Sequence, residues 1–434
     1  MSGSDPLCTS RRFGRGAALT LVFASVLVAG AATGSLPGDD TGDTADTARA
    51  TAPVTPTEAV SRAAEEALAD GTSPLEAAER AVSRSGDRWA AVYSPEEYEE
   101  FSESLDGRYT GVGLEARRER DGRIEVTEVR EGSPAARAGV RAGDRLRSVD
   151  GHVVDGRPVT DVVSLLRGDA TDAGAGSTVR LGLERGTRAW TETLRRARLT
   201  ADSVSVRSLA DGVTVIRVDA FTKGVGDAVR GAVRAAPADA GIVLDLRGNS
   251  GGLVTEAVST ASAFLDGGLV ATYDVGGEQR ALHADPGGDT ERPLVALVDG
   301  STMSAAELLT GALQDRGRAV VVGARTFGKG SVQMPSRLPG GPVAELTVGH
   351  YRTPSGRSVD GTGLTPDLEA DVTADAGALD RAETVLSGLG DTTATENGDR
   401  NGDSAEAAGD ARNGDASGDV SEGSGDAGSG GDAR

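Results

Sequence analysis

Three short aliphatic runs constrain the fold more than any other feature of the chain. Residues 242–246 read IVLDL, residues 293–300 read PLVALVDG and residues 319–323 read AVVVG. Each is apolar almost throughout, without the polar–apolar alternation of a strand that faces water on one side, so each reads as a buried strand. The first passes through a Gly-rich turn into LVTEAVSTASAFL, and the second opens into SAAELLTGALQ; both continuations have helical spacing. Upstream, GVTVIRVDAF is strand-like and GDAVRGAVRAA helical. Buried strands alternating with helices predict an α/β core over residues 200–372.

The rest of the chain divides around that core. Residues 1–35 place Arg11, Arg12 and Arg15 ahead of the apolar run Ala17–Ala32. That pattern predicts a signal sequence or a single membrane anchor, with Ala29-Gly30-Ala31 as a cleavage pattern. Residues 36–56 form a linker of small and polar residues. Residues 57–106 carry helical spacing, with Thr57 and Ser73 as candidate N-caps. Residues 107–199 switch to period-two alternation, as in IEVTEV and TVRLGLER. A short helix is expected over 373–390. Residues 391–434 hold 11 acidic residues, three Arg and no aliphatic residue larger than Ala except Val420. Such a tail cannot bury enough surface to fold and is expected to be disordered.

Composition excludes several functions. A formal charge of −22 argues against nucleic acid as a partner. The one cysteine, Cys8, lies in the targeting segment, which removes disulfides and thiol chemistry from the folded part. His152, His283 and His350 are scattered without metal-ligand spacing, so neither a metal nor another cofactor is expected. The 45 basic residues comprise 43 Arg and two Lys, Lys223 and Lys329. Arg keeps its proton in a protein, whereas a buried Lys can become a neutral base. A lysine retained in this chain is therefore a candidate for proton transfer.

Lys329 lies on a Gly-flanked turn, TFGKGSVQ, 25 positions after Ser304. Ser304 opens the helix SAAELLTGALQ, and with Glu307 it forms an S-x-x-E capping box. A hydroxyl there also sits at the positive end of the helix dipole, beside unpaired N–H groups. Such groups stabilise an oxyanion, with the Ala305 N–H as first donor. A serine needs a base, and Lys329, if buried, supplies one. Strand periodicity after the turn places Gln333 on the same face, where it can bond the lysine amine. A rival reading treats GARTFGK as a phosphate-binding loop. It lacks the Ser or Thr after Lys329, and two prolines follow where a helix is required.

Two resemblances extend these readings. GVGL (Gly111, Val112, Gly113, Leu114) followed by EGSPAARAGVRAGDRLRSVDG resembles a bacterial PDZ domain. The resemblance implies that the GVGL loop binds a peptide's terminal carboxylate. Further on, DLRGNSGG, GSTMSAAELLTGALQD, VVGARTFGKGSVQ and YRTPSGRSVDGTGLTPDL follow one another in order. Together they resemble the carboxy-terminal processing peptidases, also called tail-specific proteases, over about residues 57–372. The resemblance implies an α/β multidomain fold: N-terminal helices, a β-rich PDZ-like domain, an α/β protease core and a disordered tail. It implies a cofactor-free serine endopeptidase with Ser304 as nucleophile, Lys329 as general base and Gln333 orienting the lysine. Ala305 and Gly251 would form the oxyanion hole. The expected partners are protein or peptide C-termini at the cell envelope or outside the cell. Asp245, Arg247 and Asn249 are read as bracing the Gly turn. Met303 and Ser250 depart from the family pattern, as does His350. A catalytically inactive PDZ adaptor on the same scaffold is the alternative.

Overall fold

The structure is a computed structural model. It describes residues 55–389 apart from 120, 169–173, 210–211, 239, 276–277, 373 and 375–376. The expected signal or anchor, nearly all of the linker and the acidic tail lie outside the described residues. No helix among the described residues is long and apolar enough to cross a membrane.

The chain enters through α1 (Pro56–Ala69), α2 (Pro74–Ser85), β1 (Ala91–Tyr93) and α3 (Pro95–Leu105). The first helix is capped at Thr55 rather than at Thr57. Thr55 and Glu58 exchange side-chain and backbone hydrogen bonds at 3.2 and 3.0 Å, and Pro56 occupies the first helical position, where its missing N–H costs nothing. These helices are not free-standing. Val60, Ala64 and Ala78 pack against Leu338, Ala344 and Leu346 far along the chain.

A β-rich domain follows, built from β2 (Arg108–Gly111), β3 (Leu114–Arg118), β4 (Ile124–Val129), α4 (Pro134–Arg137), β5 (Arg145–Val149), β6 (His152–Val153), α5 (Val159–Arg167), β7 (Thr178–Arg185), β8 (Arg188–Arg195) and β9 (Ala197–Thr200). Its antiparallel sheet runs β3-β4-β5-β7-β8, and β2 pairs with β9. Alternate residues Val179, Leu181 and Leu183 of β7 join Ile124, Val126 and Leu146 in a core of its own.

The remainder is the α/β core: β10 (Val204–Ser208), β11 (Thr214–Val218), α6 (Val225–Ala235), β12 (Ile242–Asp245), α7 (Val254–Ala261), β13 (Leu269–Val275), β14 (Glu278–His283), β15 (Leu294–Val298), α8 (Ala305–Asp315), β16 (Val320–Gly323), β17 (Ser331–Arg337), β18 (Val343–Arg352) and β19 (Leu368–Glu369). One sheet runs β10-β11-β12-β15-β16-β19, parallel except for β10. Every residue of β12 and β15 is buried because both faces are covered. Ile216, Leu244 and Ala296 face the layer containing α6, α7 and α8. Val215, Val243 and Val295 face Ala378, Ala382 and Leu386, on a helix that begins at residue 377. A second sheet holds β18, with β17 along one edge and β1 and β13 along the other. Leu244 is fully buried at the centre of the larger core. Leu244→Ala is expected to lower the unfolding free energy by about 3 kcal/mol in a urea titration; a loss within experimental error would contradict that placement.

Candidate active site

The site forms where two strand-to-helix turns of the parallel sheet meet. At the end of β12, Asp245 forms a bidentate pair with Arg247 at 2.8 and 2.6 Å, and Arg247 also reaches the Val372 carbonyl at 2.9 Å. Asn249 donates to the Val218 carbonyl and accepts the Gly251 N–H at 2.8 Å. These three residues brace the glycine turn. After β15, Thr302 donates to the Leu246 carbonyl and the Met303 N–H to the Asn249 carbonyl. The two turns are thereby stitched together. The stitching is tight at Gly251, whose φ is +103°: a Cβ there would lie 3.0 Å from Ser304 Cβ and 3.3 Å from the Ala305 nitrogen.

Ser304 caps α8 with φ 58° and ψ −117°, an uncommon conformation for a residue with a side chain. It costs on the order of 1–3 kcal/mol and is the kind of sharp strand-to-helix bend that presents a hydroxyl at the top of a sheet. The helix places Ala305 at its first position, where a backbone N–H has no partner within the helix.

Glu307 holds the bend. Its Oε2 accepts the N–H groups of Ser304 and Lys329, both at 2.9 Å. Its Oε1 accepts the Thr326 hydroxyl at 2.6 Å and the Gly328 N–H at 2.7 Å. Thr326 Oγ1 itself accepts the Leu364 N–H, so it donates to Glu307. Four donors on one carboxyl describe a carboxylate. Burial pushes its pKa up, and these hydrogen bonds pull it back. The sequence marked Glu307 only as a helix cap; here one side chain fixes Ser304 to the lysine loop. The same bonds remove the phosphate-loop reading. The Gly328 and Lys329 N–H groups that would cradle a phosphate bind a carboxylate, and the chain continues into β17 rather than a helix.

The two lysines part company. Lys223 is exposed, whereas Lys329 is fully buried. Burial brings the Lys329 pKa down to about 8, with Glu345, Asp87 and Glu307 offsetting part of the fall. Its Nζ lies 4.8 Å from the centre of the Trp89 ring and has no hydrogen-bond partner. The Phe327 ring lies 5.8 Å from that of Trp89, centre to centre. No local pattern marked Trp89, which the segment between α2 and β1 carries to the site. Gln333 is buried on β17, and its Nε2 donates to Ser331 and Thr347 at 2.8 and 3.2 Å. Its Oε1 has no partner, so the expected bond to the lysine amine is not made in this arrangement. Tyr351 donates its hydroxyl to the Ser304 carbonyl at 3.1 Å, a second support missed from sequence. Ser304, Ala305, Gly251, Lys329 and Gln333 thus belong to the same α/β core.

Gly111, Val112, Gly113 and Leu114 lie in the β-rich domain at the β2–β3 turn. The Gly113 carbonyl accepts the Arg130 N–H and the Ser133 hydroxyl, and the Val112 carbonyl accepts the Ala135 N–H. Gly113 has φ +75°, and a Cβ there would strike Ser133 at 2.3 Å, so the turn requires glycine.

A lysine that titrates near 8 when folded and near 10.5 when free costs stability in full below pH 8, and the cost fades as pH rises through that window. Lys329→Met is therefore expected to raise the unfolding free energy at pH 7 by about 2 kcal/mol. Urea titrations at pH 7 and pH 9.5 check this; the gain shrinks at the higher pH, and a variant weaker than wild type at pH 7 contradicts it.

Comparison with known proteins agrees with this architecture. Residues 212–370 match the model of peptidase family S41 and residues 125–173 that of a PDZ domain. A CtpA-like serine protease of Staphylococcus haemolyticus is 31% identical over 289 residues, covering 65% of this chain and 57% of the relative. One from Staphylococcus aureus is 32% identical over 291 residues, covering 66% and 57%. The chain therefore spans a little over half the length of these relatives. A solved S41 protease from Bacteroides fragilis shares the fold, with a TM-score of 0.50 at 19% identity over 73% of this chain and 91% of that one. The chain therefore carries a PDZ domain ahead of a peptidase family S41 core.

Proposed function

We propose that the chain is a serine endopeptidase in which Ser304 and Lys329 act as a catalytic pair. The observation that carries this reading is the Glu307 carboxylate, which ties the backbone of a strained serine at a helix N-terminus to that of a fully buried lysine. Ser304 Oγ attacks a peptide carbonyl carbon as its proton passes to neutral Lys329 Nζ. The ammonium then gives a proton to the leaving amine, and water hydrolyses the acyl-enzyme. The oxyanion is stabilised by the Ala305 N–H at the head of α8. Gly251 is the second donor in this reading, and its N–H must exchange Asn249 Oδ1 for the oxyanion. Gln333 Oε1, which lacks a partner, orients the lysine once substrate closes the site.

The PDZ domain binds the substrate's free C-terminus at Gly111–Leu114, where the glycine turn is fixed against α4. Cleavage then falls in a C-terminal segment of an exported or envelope protein. Residues 1–35 deliver the enzyme there as a signal or an anchor. The competing reading, a PDZ adaptor without turnover, draws on Lys329 Nζ, which here bonds neither Ser304 nor Gln333.

Turnover of a peptide with an apolar C-terminus separates the two. Ser304→Ala and Lys329→Arg are each expected to lower kcat by about 10³-fold or more while peptide binding persists. A Lys329→Arg enzyme at wild-type rate removes the pair, and a wild type that binds but never cleaves favours the adaptor.

A further inference from the structure

Three buried side chains carry polar atoms without hydrogen-bond partners: Lys329 at Nζ, Gln333 at Oε1 and Glu345 at both carboxyl oxygens. All three residues are fully buried. Glu345 lies on β18 between two strands, opposite Pro335 of β17 on one edge and Ala91 of β1 on the other. Gln333 and Thr347 pair two positions along, so Glu345, Gln333 and Thr347 share one face of the sheet, and Ala91, opposite Glu345, stands two residues from Trp89, whose ring centre lies 4.8 Å from Lys329 Nζ. A buried carboxyl on a strand paired on both edges, given no donor, is costly and calls for an explanation.

We propose that Glu345 is a positioning residue for the base: its carboxyl and the Lys329 amine bind protons as one coupled pair, and its charge sets how tightly Lys329 holds the proton taken from Ser304. This rests on the Ser304–Lys329 reading. The charged and titratable groups around the pair are few. Glu345, Asp87 on the α2–β1 connection and Glu307 act on Lys329, in that order. Lys329 acts on Glu345, whose carboxyl burial raises to about 7. Tyr93 of β1 and Tyr98 of α3 also feel Glu345; Glu97 acts on Tyr93 and Arg337 on Tyr98. Asp87 is already committed to the Thr347 N–H and hydroxyl, and Glu307 to its four donors. Glu345 is thus the negative group with the largest effect on Lys329 and has no hydrogen-bond donor of its own. Desolvation alone would leave the amine a weak base; a carboxylate nearby restores affinity without a hydrogen bond that would occupy Nζ.

The scarcity of lysine makes the test direct. Labelling with lysine carrying ¹³C at Cε gives two side-chain signals, Lys223 and Lys329, assigned with Lys223→Arg. In wild type the Lys329 signal is expected to shift in two steps between about pH 6 and 9. In Glu345→Gln it shifts in one step, its midpoint roughly one pH unit lower, and the acid limb of kcat/KM moves with it. Glu345→Asp keeps the two steps. An unchanged Lys329 midpoint in Glu345→Gln overturns the proposal, as does a single step in wild type, which decides the matter even if the variant does not fold. Coupled titration in an enzyme that still cleaves as Lys329→Ala would sink the catalytic pair and leave the coupling standing.

Discussion

The site depends on one carboxylate. Glu307 is buried and accepts hydrogen bonds from Ser304, Thr326, Gly328 and Lys329, so a helix N-terminus and a loop 22 residues further along the chain share one anchor. A buried charge is tolerated only when its lone pairs are filled, and here all four donors are needed to hold it. Losing any one leaves a lone pair of a buried charge unfilled, at a cost beyond that of the single bond. The strained backbone of Ser304 persists because the Glu307 carboxylate on its nitrogen and the Tyr351 hydroxyl on its carbonyl fix it from both sides.

The surrounding layers explain why the anchor does not move. The parallel sheet is covered on both faces, and its two central strands deliver the turns at Gly251 and Ser304 to the same end. That is the end at which open α/β sheets build their sites. The PDZ domain has a separate core, so the proposed substrate capture and the proposed chemistry fall on separately packed units. The N-terminal helices are tied to the other sheet through β1, and they bring Trp89 and Asp87 to the lysine. Removing this segment would strip a wall from the site, although it contributes none of the reacting groups.

Much of this was legible in the chain. Buried strands announce themselves because a doubly covered strand has no polar face, as in LVALV of β15. The local settings of Ser304 and Lys329, a helix start for one and two flanking glycines for the other, could be read from sequence, and the scarcity of lysine singled out Lys329. What escaped detection is long-range. Glu307 looks like a helix cap because its local partner is Ser304, and nothing local reveals the loop that fills its other lone pairs. Glu345 lies in a strand among apolar residues, and Trp89 reaches the lysine only through a three-residue strand paired some 250 positions away. The partners of Gln333 follow from a bulge between Val332 and Gln333, which period-two counting does not foresee.

The most direct measurement of the central claim is covalent trapping. A fluorophosphonate reacts with a serine oxygen only when a base takes its proton, and intact-mass and peptide analysis locate the adduct. The account predicts one adduct, on Ser304, forming at a rate that rises with pH through the titration of Lys329 near 8 and that collapses in Lys329→Ala. An adduct elsewhere, or one on Ser304 whose rate ignores the loss of Lys329, would contradict it.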